Sequence, residues 1–136
     1  SKKIKLIRDI AKAIGHKGMA GGQVFDLLYK NKPMNNHLKK KTDYMKTGKL
    51  FEICFKVPFY FKKIKRIERE KIIKIAKNFG IAFQIRDDIE DNEGDIKRLK
   101  IKLENIYENL KKELIFFGKR GETLNYLIEK TYGNFF

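Results

Sequence analysis

The sequence predicts an all-α fold, and three observations predict it. Apolar residues recur every three or four positions along most of the chain. Only two prolines and ten glycines interrupt 136 residues. No segment alternates apolar and polar residues as a β-hairpin would. With 42% hydrophobic and 12% aromatic residues the chain can bury a core. At this length it is read as one all-helical domain over residues 1–136.

The elements follow in order. Ile7, Ile10, Ala11 and Ile14 fall at helical spacing, so residues 3–14 form a first helix. Gly15-His16-Lys17-Gly18 interrupts it. Val24, Leu27 and Leu28 support a second helix from Met19 to Leu28, despite Gly21-Gly22. Asn31 to Asn36, with Pro33, reads as a loop. A third helix runs from about His37 to Phe55 and ends at Val57-Pro58, because the residue before a proline avoids the α region. Residues 59–65 are aromatic and basic. A long helix covers about 66–91, with Ile67, Ile72, Ile75, Ala76, Phe79, Ala82, Phe83 and Ile89 as its apolar positions. Asn92-Glu93-Gly94-Asp95 is a turn. Leu99, Leu103, Ile106, Leu110 and Leu114 then step by three and four along a helix from Ile96 to Phe117. Gly118 to Gly121 breaks it, and Leu124, Leu127 and Ile128 mark a short last helix.

Composition limits the classes of function. The formal net charge is +15, from 32 Lys plus Arg against 17 Asp plus Glu. Such a charge invites a nucleic-acid partner. However, it comes mostly from lysines spread along the chain, 26 of them beside 6 arginines, and the 18 isoleucines are equally inflated. That pairing reads as compositional bias. With no zinc-ligand spacing and no basic helix with stacking aromatics, no nucleic-acid partner is expected. Weak attraction to an acidic membrane surface is the most the charge implies. No apolar run reaches the ~20 residues of a membrane span. The basic start Ser1–Lys5 lacks the uninterrupted apolar stretch of a secretory signal. The single Cys54 excludes an internal disulfide and fits a reducing, cytoplasmic compartment. Its neighbours Phe51, Ile53 and Phe55 suggest a buried small hydrophobe.

Against this basic background, six acids fall in the nine residues from Asp87 to Asp95. On a helix Asp87 and Asp91 stand at i,i+4, and Asp88 and Asp91 at i,i+3. They share a face and repel one another. Arg86 alone cannot neutralise three carboxylates. Mg²⁺ takes one or two carboxylates, keeps several waters and bridges to phosphates. The residues therefore suit a face that holds Mg²⁺ against a diphosphate. The spacing by itself is more commonly that of a solvated acidic surface. The apolar approach Phe79-Gly80-Ile81-Ala82-Phe83 favours a cavity over bulk water.

Three segments carry a resemblance. They are Gly15-His16-Lys17-Gly18-Met19-Ala20-Gly21-Gly22-Gln23-Val24-Phe25-Asp26-Leu27, then Tyr44-Met45-Lys46-Thr47-Gly48-Lys49-Leu50-Phe51, then Phe79-Gly80-Ile81-Ala82-Phe83-Gln84-Ile85-Arg86-Asp87-Asp88-Ile89-Glu90-Asp91. In this order and spacing they resemble the C-terminal half of the trans-polyprenyl diphosphate synthases, the farnesyl, geranylgeranyl and longer-chain enzymes. The resemblance covers about residues 3–95 and implies half of an isoprenoid-synthase-type helical bundle. It implies prenyl transfer from an allylic diphosphate to isopentenyl diphosphate, with Mg²⁺ as cofactor. Asp87, Asp88 and Asp91 would be the second aspartate-rich motif. Lys46 would place a fixed charge on the diphosphate, as a point charge. Thr47 and Gln84 would set dipoles near the developing allylic cation. Gln23 and Asp26 would either touch substrate or join helices by hydrogen bonds. His16 and His37 have no partner spacing and are expected at the surface.

The sequence also departs from that family. It has no second DDxxD, and Gly94-Asp95 leads straight into a helix where the family carries a GKD…K loop. The resemblance therefore implies a split synthase. An N-terminal-half subunit would supply the first aspartate-rich motif, and this chain the second. A non-catalytic regulatory or stabilising subunit of a heteromeric synthase is the alternative, and a free-standing basic helical module a third reading.

Overall fold

A computed structural model describes residues Ser1–Phe136. The chain is all-α, with no strand. Its helices are α1 (Lys2–Ile14), α2 (Met19–Leu28), α3 (Asn36–Asp43), α4 (Lys49–Lys56), α5 (Pro58–Phe61), α6 (Arg66–Glu90), α7 (Ile96–Ile115) and α8 (Glu122–Tyr132). A π-helical segment, Tyr44–Gly48, joins α3 to α4, and short 3₁₀ turns occupy Gly118–Gly121 and Gly133–Phe135. No helix is long and apolar enough to cross a membrane. The residues form two compact units, Ser1–Gly80 and Ile81–Phe136, and α6 contributes to both.

In the first unit Asn35 caps α3, its side chain accepting from the Leu38 amide at 2.8 Å. Pro58 sits in the first turn of α5, where its missing N–H costs nothing. The expected helix over residues 37–55 is thus interrupted by the π segment. The π-helical segment, at its junction with α4, crosses α6 where both lack side chains, since a Cβ on Gly80 would lie 3.2 Å from the Cα of Gly48. On either side of that crossing Phe79 packs against Phe51 (ring centroids 4.9 Å apart) and Phe55 (5.7 Å). Ile53, Ile75 and Ala76 complete this core. α1 buries Ala13, and Tyr60 donates to Asp9 at 2.7 Å, tying α5 back to α1.

The helix over residues 3–14 forms as expected, and packing decides which of its faces is buried. Ile7, Ala11 and Ile14, the stripe that predicts α1, lie on its exposed side with Ile4, which is 67% exposed. α1 carries a second apolar arc, Leu6, Ile10 and Ala13, and that arc turns inward. Cys54 is exposed, contrary to its apolar neighbours, because α4 turns Glu52 and Ile53 inward and the next residue lies about 100° further round.

The second unit is built on Ala82, Ile85 and Ile89 of α6, Leu103, Leu110 and Leu114 of α7, and Ile128 and Tyr132 of α8, all buried. α6 ends in a Schellman arrangement. Asn92 takes φ 56°, the Glu93 amide bonds the Asp88 carbonyl at 2.8 Å and the Asn92 amide bonds the Ile89 carbonyl at 3.2 Å. Asp95 then caps α7, accepting from the Arg98 amide at 3.1 Å. α8 turns Ile128 and Tyr132 inward and leaves Leu127 exposed.

Candidate functional site

Lys46 and Thr47 stand in the π-helical segment, a geometry that adds a residue to one turn and recurs at functional sites. Its neighbours explain how it is held. The Tyr44 ring covers Gly48, where a Cβ would come within 2.6 Å of the ring. The Tyr44 hydroxyl donates to Glu52 Oε1 at 2.7 Å, and Lys56 Nζ donates to Glu52 Oε2 at 2.7 Å. Burial pushes the Glu52 carboxyl upward. The bonds from Lys56 and Tyr44, with the charges of Lys56 and Lys77, outweigh it and hold the group below its usual range. Burial, together with the bond to Glu52, drives the Tyr44 hydroxyl up to about 12.

α2 lies directly on the backbone of this segment. A Cβ on Gly22 would sit 2.5 Å from the Lys46 amide nitrogen. That contact puts Asp26, one turn further along α2, beside Lys46: Nζ donates to Asp26 Oδ2 at 3.0 Å, with both side chains partly exposed. The sequence motifs therefore meet as an ion pair on adjoining elements. Thr47 is half-buried, whereas Gln23 is exposed on the outer side of α2 with Ala20, Val24 and Leu27.

The acidic group belongs to the second unit. Gln84, Asp87, Asp88 and Asp91 stand at i, i+3, i+4 and i+7, one face of the helix. Asp87 and Asp88 are half-buried, and Asp91 is exposed just past the last residue of α6. Gln84 Nε2 donates to Asp88 Oδ1 at 3.3 Å. Burial raises the Asp87 carboxyl above its usual range. Arg86 opposes this, while Glu90, Asp91 and Asp88 add to it by repulsion. No three carboxylate, histidine or cysteine side chains converge as a ready-made ligand set. Mg²⁺ does not require one, because it keeps waters and uses one or two carboxylates. The mutually repelling oxygens of half-buried Asp87 and Asp88 and exposed Asp91 fit such a hard cation.

Sequence reasoning missed Glu52 and Tyr132. Glu52 reads as one more surface acid until the fold buries it. Tyr132 is fully buried, its hydroxyl raised by burial, with the opposite charges of Arg86 and Asp87 close enough to act on it. Only its place four residues after Ile128 marks it in the sequence.

Comparison with known proteins places the chain in a family. A family model described as polyprenyl synthetase matches residues 2–132. The farnesyl diphosphate synthase of Buchnera aphidicola subsp. Schizaphis graminum is 34% identical over 103 residues, 74% of this chain and 34% of that protein. That of Bacillus subtilis is 31% identical over 98 residues, 72% of this chain and 33% of that protein. The geranyltransferase from Legionella pneumophila matches in fold with a TM-score of 0.90 at 19% identity, over 98% of this chain and 50% of that one. A putative farnesyl-diphosphate synthase from Marinomonas sp. MED121 gives a TM-score of 0.84 at 26% identity, over 96% of this chain and 52% of that one. The chain spans about a third of the length of the curated relatives it matches and about half of the solved chains, corresponding to their C-terminal half. On the strength of a match over nearly all its residues, this chain belongs to the polyprenyl synthetase family.

Proposed function

We propose that these residues form the second-motif half of a prenyl diphosphate synthase, one half-domain over residues 1–136. Such a synthase joins an allylic diphosphate to isopentenyl diphosphate. The allylic C–O bond breaks, a C–C bond forms, and the released pyrophosphate takes the proton. The observation that carries the reading is the single helix face bearing Gln84, Asp87, Asp88 and Asp91. Three acids share that face, and the Arg86 guanidinium lies near Asp87 and Glu90 beside it.

Asp87 and Asp91 would hold Mg²⁺, with Asp88 beside them. When bound, the ion supplies Lewis acidity and charge for the departing pyrophosphate. The other roles fall to this chain's side chains. Lys46, kept in reach by Asp26, offers a compact positive charge to a diphosphate oxygen. Thr47 and Gln84 present dipoles towards the allylic cation. Asp26 would act through its bond to Lys46, and Gln23, exposed on α2, would reach substrate from there.

The first aspartate-rich motif comes, in this reading, from a separate N-terminal-half chain, in a cytoplasmic hetero-oligomer. The test is incorporation of labelled isopentenyl diphosphate into prenyl product with Mg²⁺. The chain alone should give little product, and the chain mixed with a half carrying the first motif should give far more. Asp87→Ala should then lower the rate by about 100-fold or more. Undiminished activity of that variant would leave the regulatory-subunit reading.

A further inference from the structure

We infer that Arg86 is a built-in counter-ion of the aspartate-rich face and sets how tightly the first divalent cation binds there. This rests on the metal-binding reading above. Three observations on one side chain carry it. The Arg86 guanidinium lies over the Phe83 ring, 4.7 Å from its centroid. Its Nη2 is 3.6 Å from Asp87 Oδ1. Its Nε is 3.5 Å from Glu90 Oε1 yet buried with no hydrogen-bond partner.

The stacking and the partial burial keep this cation from swinging out into water as a lysine would. The distances to the carboxylates are those of charge attraction, not of close hydrogen bonds. A guanidinium stays charged at every working pH, so its effect on the face is permanent. It relieves repulsion among Asp87, Glu90 and their neighbours while the metal is absent. It then repels the incoming divalent ion. A unit charge about 6 Å from such an ion, in a water-like dielectric, changes its affinity by about tenfold. Arg86 thus trades affinity for a face that tolerates its own charge, and leaves the metal exchangeable.

The probe is Mn²⁺ in place of Mg²⁺, with free ion measured by electron paramagnetic resonance on the full 136-residue chain at low ionic strength. Arg86→Gln should tighten binding by about tenfold, and the gain should shrink with added salt. Arg86→Lys, which keeps the charge but lets it swing towards water, should tighten binding by less, about threefold or under. Binding unchanged or weakened in Arg86→Gln, with helicity intact, would overturn the inference and leave the metal reading standing. No binding by any version at millimolar Mn²⁺ would overturn both. Folding of the variants does not limit the test. In a Mg²⁺ titration of the unaltered chain, the Arg86 Nε–Hε NMR signal should shift with the binding midpoint. A signal that stays put while Mg²⁺ binds also refutes the counter-ion role.

Discussion

Replacing Gly22 by alanine should loosen the segment that presents Lys46. The added Cβ would stand 2.5 Å from the Lys46 nitrogen, 2.8 Å from its Cα and 3.0 Å from the Met45 carbonyl carbon. All three atoms are backbone, so no side chain can rotate away. α2 must retreat by roughly 1 Å from the π-helical segment, a case of overpacking that costs about 1–3 kcal/mol. Alanine's better helix propensity returns about 1 kcal/mol of this. The net loss of up to about 2 kcal/mol should lower the melting temperature by up to roughly 8 °C. The assay is thermal and urea unfolding of the chain, followed by circular dichroism. Gly133→Ala serves as the control. Gly133 has φ −62°, and the nearest atom to its Cβ is Tyr107 Oη at 3.8 Å. Alanine there should be neutral or stabilise by about 0.4–1 kcal/mol. If Gly22→Ala proves as stable as the parent, close approach of α2 does not hold the Lys46 segment, and the packing argument fails.

Three further outcomes are expected. Glu52→Gln should cost about 1–3 kcal/mol at neutral pH, since it removes the charge that Lys56 and Tyr44 both bond. The folded pKa of Glu52 lies below the ordinary 4.5, so its contribution is present above that value and lost as pH falls through the lowered one. Urea midpoints from pH 6 to pH 3 should therefore converge for parent and variant at the acid end. Tyr132→Ala empties a fully buried site and should cost about 3–5 kcal/mol, read as a lower urea midpoint. Lys46→Ala should slow prenyl transfer by the completed enzyme by about 100-fold with little change in melting temperature, because its ion pair with Asp26 is partly exposed.

Much of this protein could be read from local pattern. A helix is closed by bonds four residues apart, so its presence and ends depend on nearby residues. Leu103, Leu110 and Leu114 announced α7, and they are buried as their spacing requires. Asn92 and Asp95 announced the turn after α6, and their roles there are backbone conformation and capping, both local. The motif residues could be named because their types and intervals are unusual in a lysine-rich chain. Tertiary packing settled the rest. It opened a wider turn at Tyr44–Gly48, since Tyr44 reaches Glu52 and covers Gly48 there. It chose the inner arc of α1 over the isoleucine stripe and turned Cys54 outward. It brought Asp26 to Lys46 across 20 residues of sequence. The sequence alone determined most of the helices, including the ends of α6, and the acids they carry, because those follow from short-range spacing. Which face turns inward, and which distant charges meet, depends on a competition among helices for the same buried space, and only the folded chain resolves it.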